Sequence, residues 1–242
     1  MRAPDRRPRF GEVAMEQFEV TAIVQRPLVL TWALVAAAVV IFMVVVSAPE
    51  FGAHGAASAL LLLALVWPLV LWRHEPPARR GGLWAAPLPR AGHTLLRVGI
   101  GWACLVVVAL VYLPLAGVAA LAAGWLGRPA GQLLAYTAHL LLALTALYLL
   151  VTAVAIRFGN SRWVILAAAV WSIMAVGILA TEGAGWPGDV ARSFLRHLSV
   201  AMVPGSLHPP SVWLGALAPW LLAGLTLNAV AALLFHEPDP SP

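Results

Sequence analysis

Long stretches of this chain carry no charged residue, and that constrains its fold more than any other feature. Charge-free, mainly apolar windows occupy residues 28–47, 56–72, 98–126, 132–156, 163–181 and 212–235. A helix needs about 20 apolar residues to cross the ~30 Å hydrocarbon core of a bilayer. The windows therefore predict an all-α polytopic membrane protein with six transmembrane helices. The second window is short and contains Pro68, which is expected to kink it. The third is long enough to tilt or to run past the bilayer surface. The first apolar run is too long for a cleavable signal peptide and lacks a small-residue cleavage site.

Composition agrees with this reading. Of 242 residues, 62% are hydrophobic and only 10% charged, against about a quarter charged in soluble domains. The spans use up the length. What remains is a tail at 1–27, a loop at 73–97 and a second tail at 236–242, around one transmembrane domain at 28–235. The net charge of +5 is scattered between apolar runs rather than gathered on one face, which argues against a nucleic-acid partner. All fifteen basic residues are arginine. With no lysine there is no GxxxxGK[ST] phosphate loop and no Schiff-base chemistry. The single cysteine, Cys104, permits no internal disulfide and no cysteine-based metal site.

Arginine distribution sets the orientation. Arg2, Arg6, Arg7, Arg9, Arg26, Arg73, Arg79, Arg80, Arg90, Arg97, Arg157 and Arg162 fall on one side of the six spans, and only Arg128, Arg192 and Arg196 on the other. Twelve against three puts both termini and the 73–97 loop in the cytoplasm. Two further helices are expected outside the spans. Residues 10–25 place Glu12, Glu16 and Glu19 on one stripe, with Phe10, Val13, Ala14, Phe18 and Val24 opposite. That is the pattern of an interfacial elbow helix, and Pro27 is expected to break it from span one. Between spans five and six, residues 186–202 read as an outer amphipathic or re-entrant segment. There Pro187 and Asp189 mark the start, and Arg192 and Arg196 share a face.

Ionisable groups inside a bilayer are costly and mark function by default, but few are present. No Asp or Glu lies within a span, and neither HExxH nor GxSxG occurs. An integral-membrane enzyme, such as a lipid-modifying one, is therefore the weakest of the readings. His139 in span four is a candidate haem or metal ligand, which keeps a haem-handling cytochrome-maturation protein as an alternative. The commoner role of such a histidine is a bond to a neighbouring helix, and that reading is favoured. Asn228 in span six reads first as an interhelical hydrogen bond. Glu50 and Glu182, at the outer ends of spans one and five, form with His139 and Asn228 a candidate pathway or outer gate. Solvation at the membrane edge is the simpler account of the two acids. Tryptophans near span ends, Trp72 among them, read as interface anchors.

The segment at 83–98, LWAAPLPRAGHTLLRV, is the exception to the apolar pattern. Pro87 and Pro89 fix an extended kink, and the following helix presents His93 and Arg97 at i, i+4. Positive-inside topology accounts for the arginines. It does not account for Leu83, Trp84, Leu88, Leu95 and Leu96 on the cytoplasmic side. A short amphipathic helix there suits a partner's groove.

At this point the sequence resembles the ABC-2 type permeases, the six-span subunits of type V ABC exporters. The stretch APLPRAGHTLLRVGIGW at 86–102 is similar to the family's motif at Pro87, Leu88, Arg90, His93, Leu95, Arg97 and Gly101. Ala86 fits the first motif position less well, and no large outer domain is present. The resemblance implies an elbow helix before span one, a coupling helix between spans two and three, and an outer re-entrant segment. These correspond to 10–25, 83–97 and 186–202. It further implies a bacterial cytoplasmic-membrane exporter subunit that binds no cofactor itself. ATP and magnesium would sit in a separate ABC ATPase that docks on Pro87, Leu88, Pro89, Arg90, His93, Thr94 and Arg97. A second copy or a sister permease would complete the pathway in the lipid bilayer.

The orientation is checked by reporter fusions. Alkaline phosphatase joined after residue 128 is expected to be active, and fusions after residues 80 or 236 inactive; activity at either of the latter reverses the assignment.

Overall fold

The structure, a computed structural model, describes residues 10–46, 60–61, 63–72, 89–122, 130–158 and 210–234. Every described residue except Pro89 is helical. The helices are α1 (Phe10–Val46), α2 (Leu63–Trp72), α3 (Arg90–Ala122), α4 (Ala130–Phe158) and α5 (Pro210–Leu234). Within them, Ala91–Tyr112, Thr137–Ile156 and Leu217–Leu234 are each long and apolar enough to cross a membrane. These fall on the third, fourth and sixth expected spans. The expected fifth span at 163–181 and the outer segment at 186–202 lie outside the described residues, as do Glu50, Glu182, Pro87 and Leu88.

The start of the chain differs from expectation. Instead of an elbow helix broken at Pro27, α1 runs unbroken for 37 residues with Pro27 inside it. Proline removes one amide donor, here the partner of the Ile23 carbonyl. The other backbone groups still need hydrogen bonds, and in apolar surroundings continuing the helix is the way to provide them. Pro219 sits inside α5 in the same way. At a rise of 1.5 Å per residue, α1 is about 55 Å long and α3, with 33 residues, about 50 Å. Both exceed the ~30 Å of a hydrocarbon core.

The rotation of α1 also differs. Glu12, Glu16 and Glu19 are exposed as expected, but so are Phe10 and Phe18. The buried stripe is Val13, Gln17, Val20, Thr21 and Gln25, which recurs at helical spacing. Hydrophobicity alone would turn Phe10 and Phe18 inward. The buried polar side chains set the angle instead. Gln25 Nε2 reaches the Trp67 carbonyl on α2 at 3.1 Å, and Gln17 Nε2 bonds Thr21 Oγ1 at 3.3 Å.

Helix α3 is the hub, packing on α1, α4 and α5, and the α4–α5 contact is the most extensive. The core is built from Leu60, Leu63, Trp67 and Leu71 on the α2 side, Leu105 and Ala109 on α3, Leu140, Leu144 and Tyr148 on α4, and Leu217 on α5. Apolar residues pointing away from it, such as Val107 and Val111 on α3 and Leu222, Leu225 and Leu233 on α5, are exposed, as suits lipid contact.

Two glycines permit the closest approaches. A Cβ on Gly101 would stand 2.5 Å from Tyr148 Oη and 2.8 Å from Leu71 Cδ2, and one on Gly224 would stand 2.7 Å from Leu149 Cβ. Gly99 and Gly215 have nothing within 4 Å of that position. Small residues at helix crossings let backbones meet, which drives association when lipid is as apolar as leucine. Gly101→Ala and Gly224→Ala are each expected to cost roughly 1–3 kcal/mol through overpacking. Gly99→Ala and Gly215→Ala serve as neutral controls, with thermal unfolding in detergent as the measurement.

Candidate functional site

The expected docking segment enters the described structure at Pro89. Its carbonyl accepts the His93 amide at 3.1 Å, closing the first turn of α3. Proline suits this place because the first turn needs no amide donor from it. Arg90 is the first helical residue, and His93 and Thr94 are half-buried, whereas Leu95 is 44% exposed. The apolar Leu95 therefore does face outward beside the polar residues.

Arg97 does not share that exposure. Expected to face a partner, it is only 6% exposed. Its Nη2 donates to the Leu71 carbonyl at 2.8 Å, and its guanidinium carbon lies 4.3 Å from the Trp72 ring centroid. The physical reason lies in what α2 presents at this level. A planar cation can donate to the Leu71 carbonyl and lie over the Trp72 ring together. Trp72, read from sequence as a membrane-interface anchor, is 6% exposed and serves as the platform for Arg97.

Arg97 belongs to a belt of bonds at the same end of the bundle. Gln25 of α1 donates to the Trp67 carbonyl of α2. Trp67 Nε1 donates to the Gly101 carbonyl of α3 at 3.0 Å. Tyr148 Oη of α4 donates to the Val98 carbonyl of α3 at 2.9 Å. Asn228 Nδ2 of α5 donates to the Leu149 carbonyl of α4 at 2.7 Å and to Gly224 of its own helix at 2.7 Å. These bonds join α1, α2, α3, α4 and α5 in one chain. Gln25, Trp67, Tyr148 and Asn228 are all at most 2% exposed, so each bond is made away from competing water. Nearer the outside, Trp102 Nε1 donates to Thr145 Oγ1 at 3.0 Å, and Thr145 in turn donates to Leu141.

Of the candidate gate residues, His139 and Asn228 are among the described residues and stand at different levels of the bundle. Asn228 sits in the belt, level with the start of α3, and makes the interhelical bond that its place in span six suggests. His139 is fully buried on α4, nine residues before Tyr148 and thus about 13 Å along the helix. Among the described residues no group of three or more His, Cys, Asp or Glu is placed to hold a metal. Sequence spacing singled out neither Gln25, Trp67 nor Tyr148 as a tie between helices, and Gly101 entered only as a motif position. Their partners are main-chain carbonyls, or in Gly101 the carbonyl itself, which carry no residue-type signal.

Comparison with protein-family models, with curated proteins and with solved structures gives no match to this chain.

Tyr148→Phe removes one interhelical bond while keeping the ring, and is expected to cost about 0.5–1.5 kcal/mol. Tyr148→Ala also opens a cavity in the core and is expected to cost about 3–5 kcal/mol. Equilibrium unfolding in micelles measures both.

Proposed function

We propose that this chain is the six-span permease subunit of an ATP-driven ABC exporter of the ABC-2 type, in a bacterial cytoplasmic membrane with both termini inside. In this reading the 83–97 segment is the coupling element, and a separate ATPase subunit grasps the part of it that faces outward, ahead of the buried Arg97. The chain contributes no nucleotide site, since it has no lysine for a phosphate loop. A second copy or a sister permease completes the pathway, and residues 186–202 form the outer re-entrant segment.

The observation that best supports the reading is the continuity of α3. The helix starts at Arg90, directly after Pro89, and passes through the belt into an apolar stretch described as far as Ala122. A push on its first two turns is therefore delivered along a stiff rod rather than absorbed in a loop, as rigid-body transport cycles require. The outward-facing Leu95, among the polar residues of those turns, suits a hot-spot contact in a partner's groove.

The test is affinity purification of the full chain from native membranes in mild detergent. A P-loop ATPase is expected to co-purify, and hydrolysis by the complex in nanodiscs should exceed that of the free ATPase. Leu95→Asp is expected to weaken the association at least tenfold, with the unfolding temperature of the permease held within a few degrees. Recovery of the chain with no ATPase in any detergent that preserves its fold would overturn the proposal.

A further inference from the structure

The first turns of α3 carry two kinds of residue that sequence spacing does not separate. Leu95 is exposed, where another molecule can reach it, whereas His93 is half-buried with its Nε2 enclosed. Arg97, only a turn further on, is enclosed between α2 and α3. Its bond runs from α3 to α2, onto the carbonyl of Leu71. One turn deeper a second bond runs the other way, from Trp67 Nε1 of α2 to the Gly101 carbonyl of α3. Gly101 lets Leu71 sit where a larger residue's Cβ would be. Two bonds of opposite direction, one helical turn apart, resist both sliding and rotation of one helix against the other. The Trp72 ring under the guanidinium fixes the plane of the Arg97 fork, and both Leu71 and Trp72 are themselves buried.

We infer that Arg97 is a positioning residue rather than a docking contact: it pins α2 at Leu71 and Trp72 to the first turns of α3, so that a displacement applied at residues 89–95 moves both helices as one body. The pin stands on the geometry alone. Only the source of the displacement, an ATPase at the start of α3, rests on the function proposed above.

The test uses the full chain in nanodiscs with Cys104→Ser, which removes the only native cysteine. Spin labels are placed at Leu69→Cys on α2 and Leu95→Cys on α3. Double electron–electron resonance is expected to give one narrow distance peak. Arg97→Ala should broaden that peak at least twofold, and Trp72→Ala should do the same. Arg97→Lys keeps the charge and a donor but loses the planar stack, and should lie between. If Arg97→Ala is not recovered folded, the lysine variant and Trp72→Ala decide the matter. An unchanged distribution in the recovered variants overturns the pin.

A second arm uses the ATPase recovered by co-purification, without labels. Arg97→Ala and Trp72→Ala should bind it within twofold of the parent, yet lose at least fivefold of the permease-dependent stimulation of hydrolysis. A merely structural weakening would reduce binding and stimulation together. Loss of binding in Arg97→Ala with Trp72→Ala unaffected would make Arg97 a docking contact and overturn the inference. If no ATPase co-purifies, the proposed function fails while the resonance experiment still decides the pin.

Discussion

Helices in hydrocarbon gain little from the hydrophobic effect when they meet, because lipid tails solvate leucine as well as another helix does. Close backbone approach and hydrogen bonds must supply the specificity instead. In this bundle the two devices are combined. Gly101 and Gly224 bring main chains near enough that a side chain on the next helix meets them, and Trp67 and Asn228 then donate to carbonyls exposed by that approach. A main-chain carbonyl already engaged in its own helix retains a second lone pair. The bonds therefore add to the helices without breaking them.

The position of these bonds along the bundle matters as much as their number. They gather around Trp67 to Trp72 of α2 and the first three turns of α3, next in sequence to the proline- and arginine-rich segment at 73–88. Arg97 and Trp72 close the belt at its edge, where an arginine can keep its charge while its stem lies among apolar neighbours. A bundle tied at this end is stiff where the proposed partner would act. Among the described residues, helix α3 is in contact with α1, α4 and α5.

The parts of the fold legible in the sequence are those set by uninterrupted hydrophobicity. The windows at 98–126, 132–156 and 212–235 coincide with α3, α4 and α5 because spanning length is a property of one segment considered alone. Asn228 was readable as an interhelical bond for a similar reason: an amide in an apolar helix has few other uses. Pro27 misled because its usual effect is calibrated on helices that water can fray, whereas this one lies within a continuous α1. Arg97 misled because i, i+4 spacing with His93 says that two side chains share a face of α3 but not what covers it. The burial of Gln17, Thr21 and Gln25 in place of Phe10 and Phe18 depends on a carbonyl 42 residues away in the chain. No local pattern carries that information.

The chemistry of the belt has a consequence for how such a protein changes over generations. In the bonds that Gln25, Trp67, Arg97, Tyr148 and Asn228 make across helices, a side chain gives the proton and the peptide backbone receives it, so only one gene position specifies the contact. Drift at Val98, Leu71 or Leu149 leaves the acceptor in place so long as the packing is kept, whereas loss of Tyr148, Arg97 or Asn228 removes the bond outright. Paired substitutions, the usual footprint of contacting residues in diverging sequences, are not needed to keep these bonds. The fold is held by ties whose two ends do not evolve together.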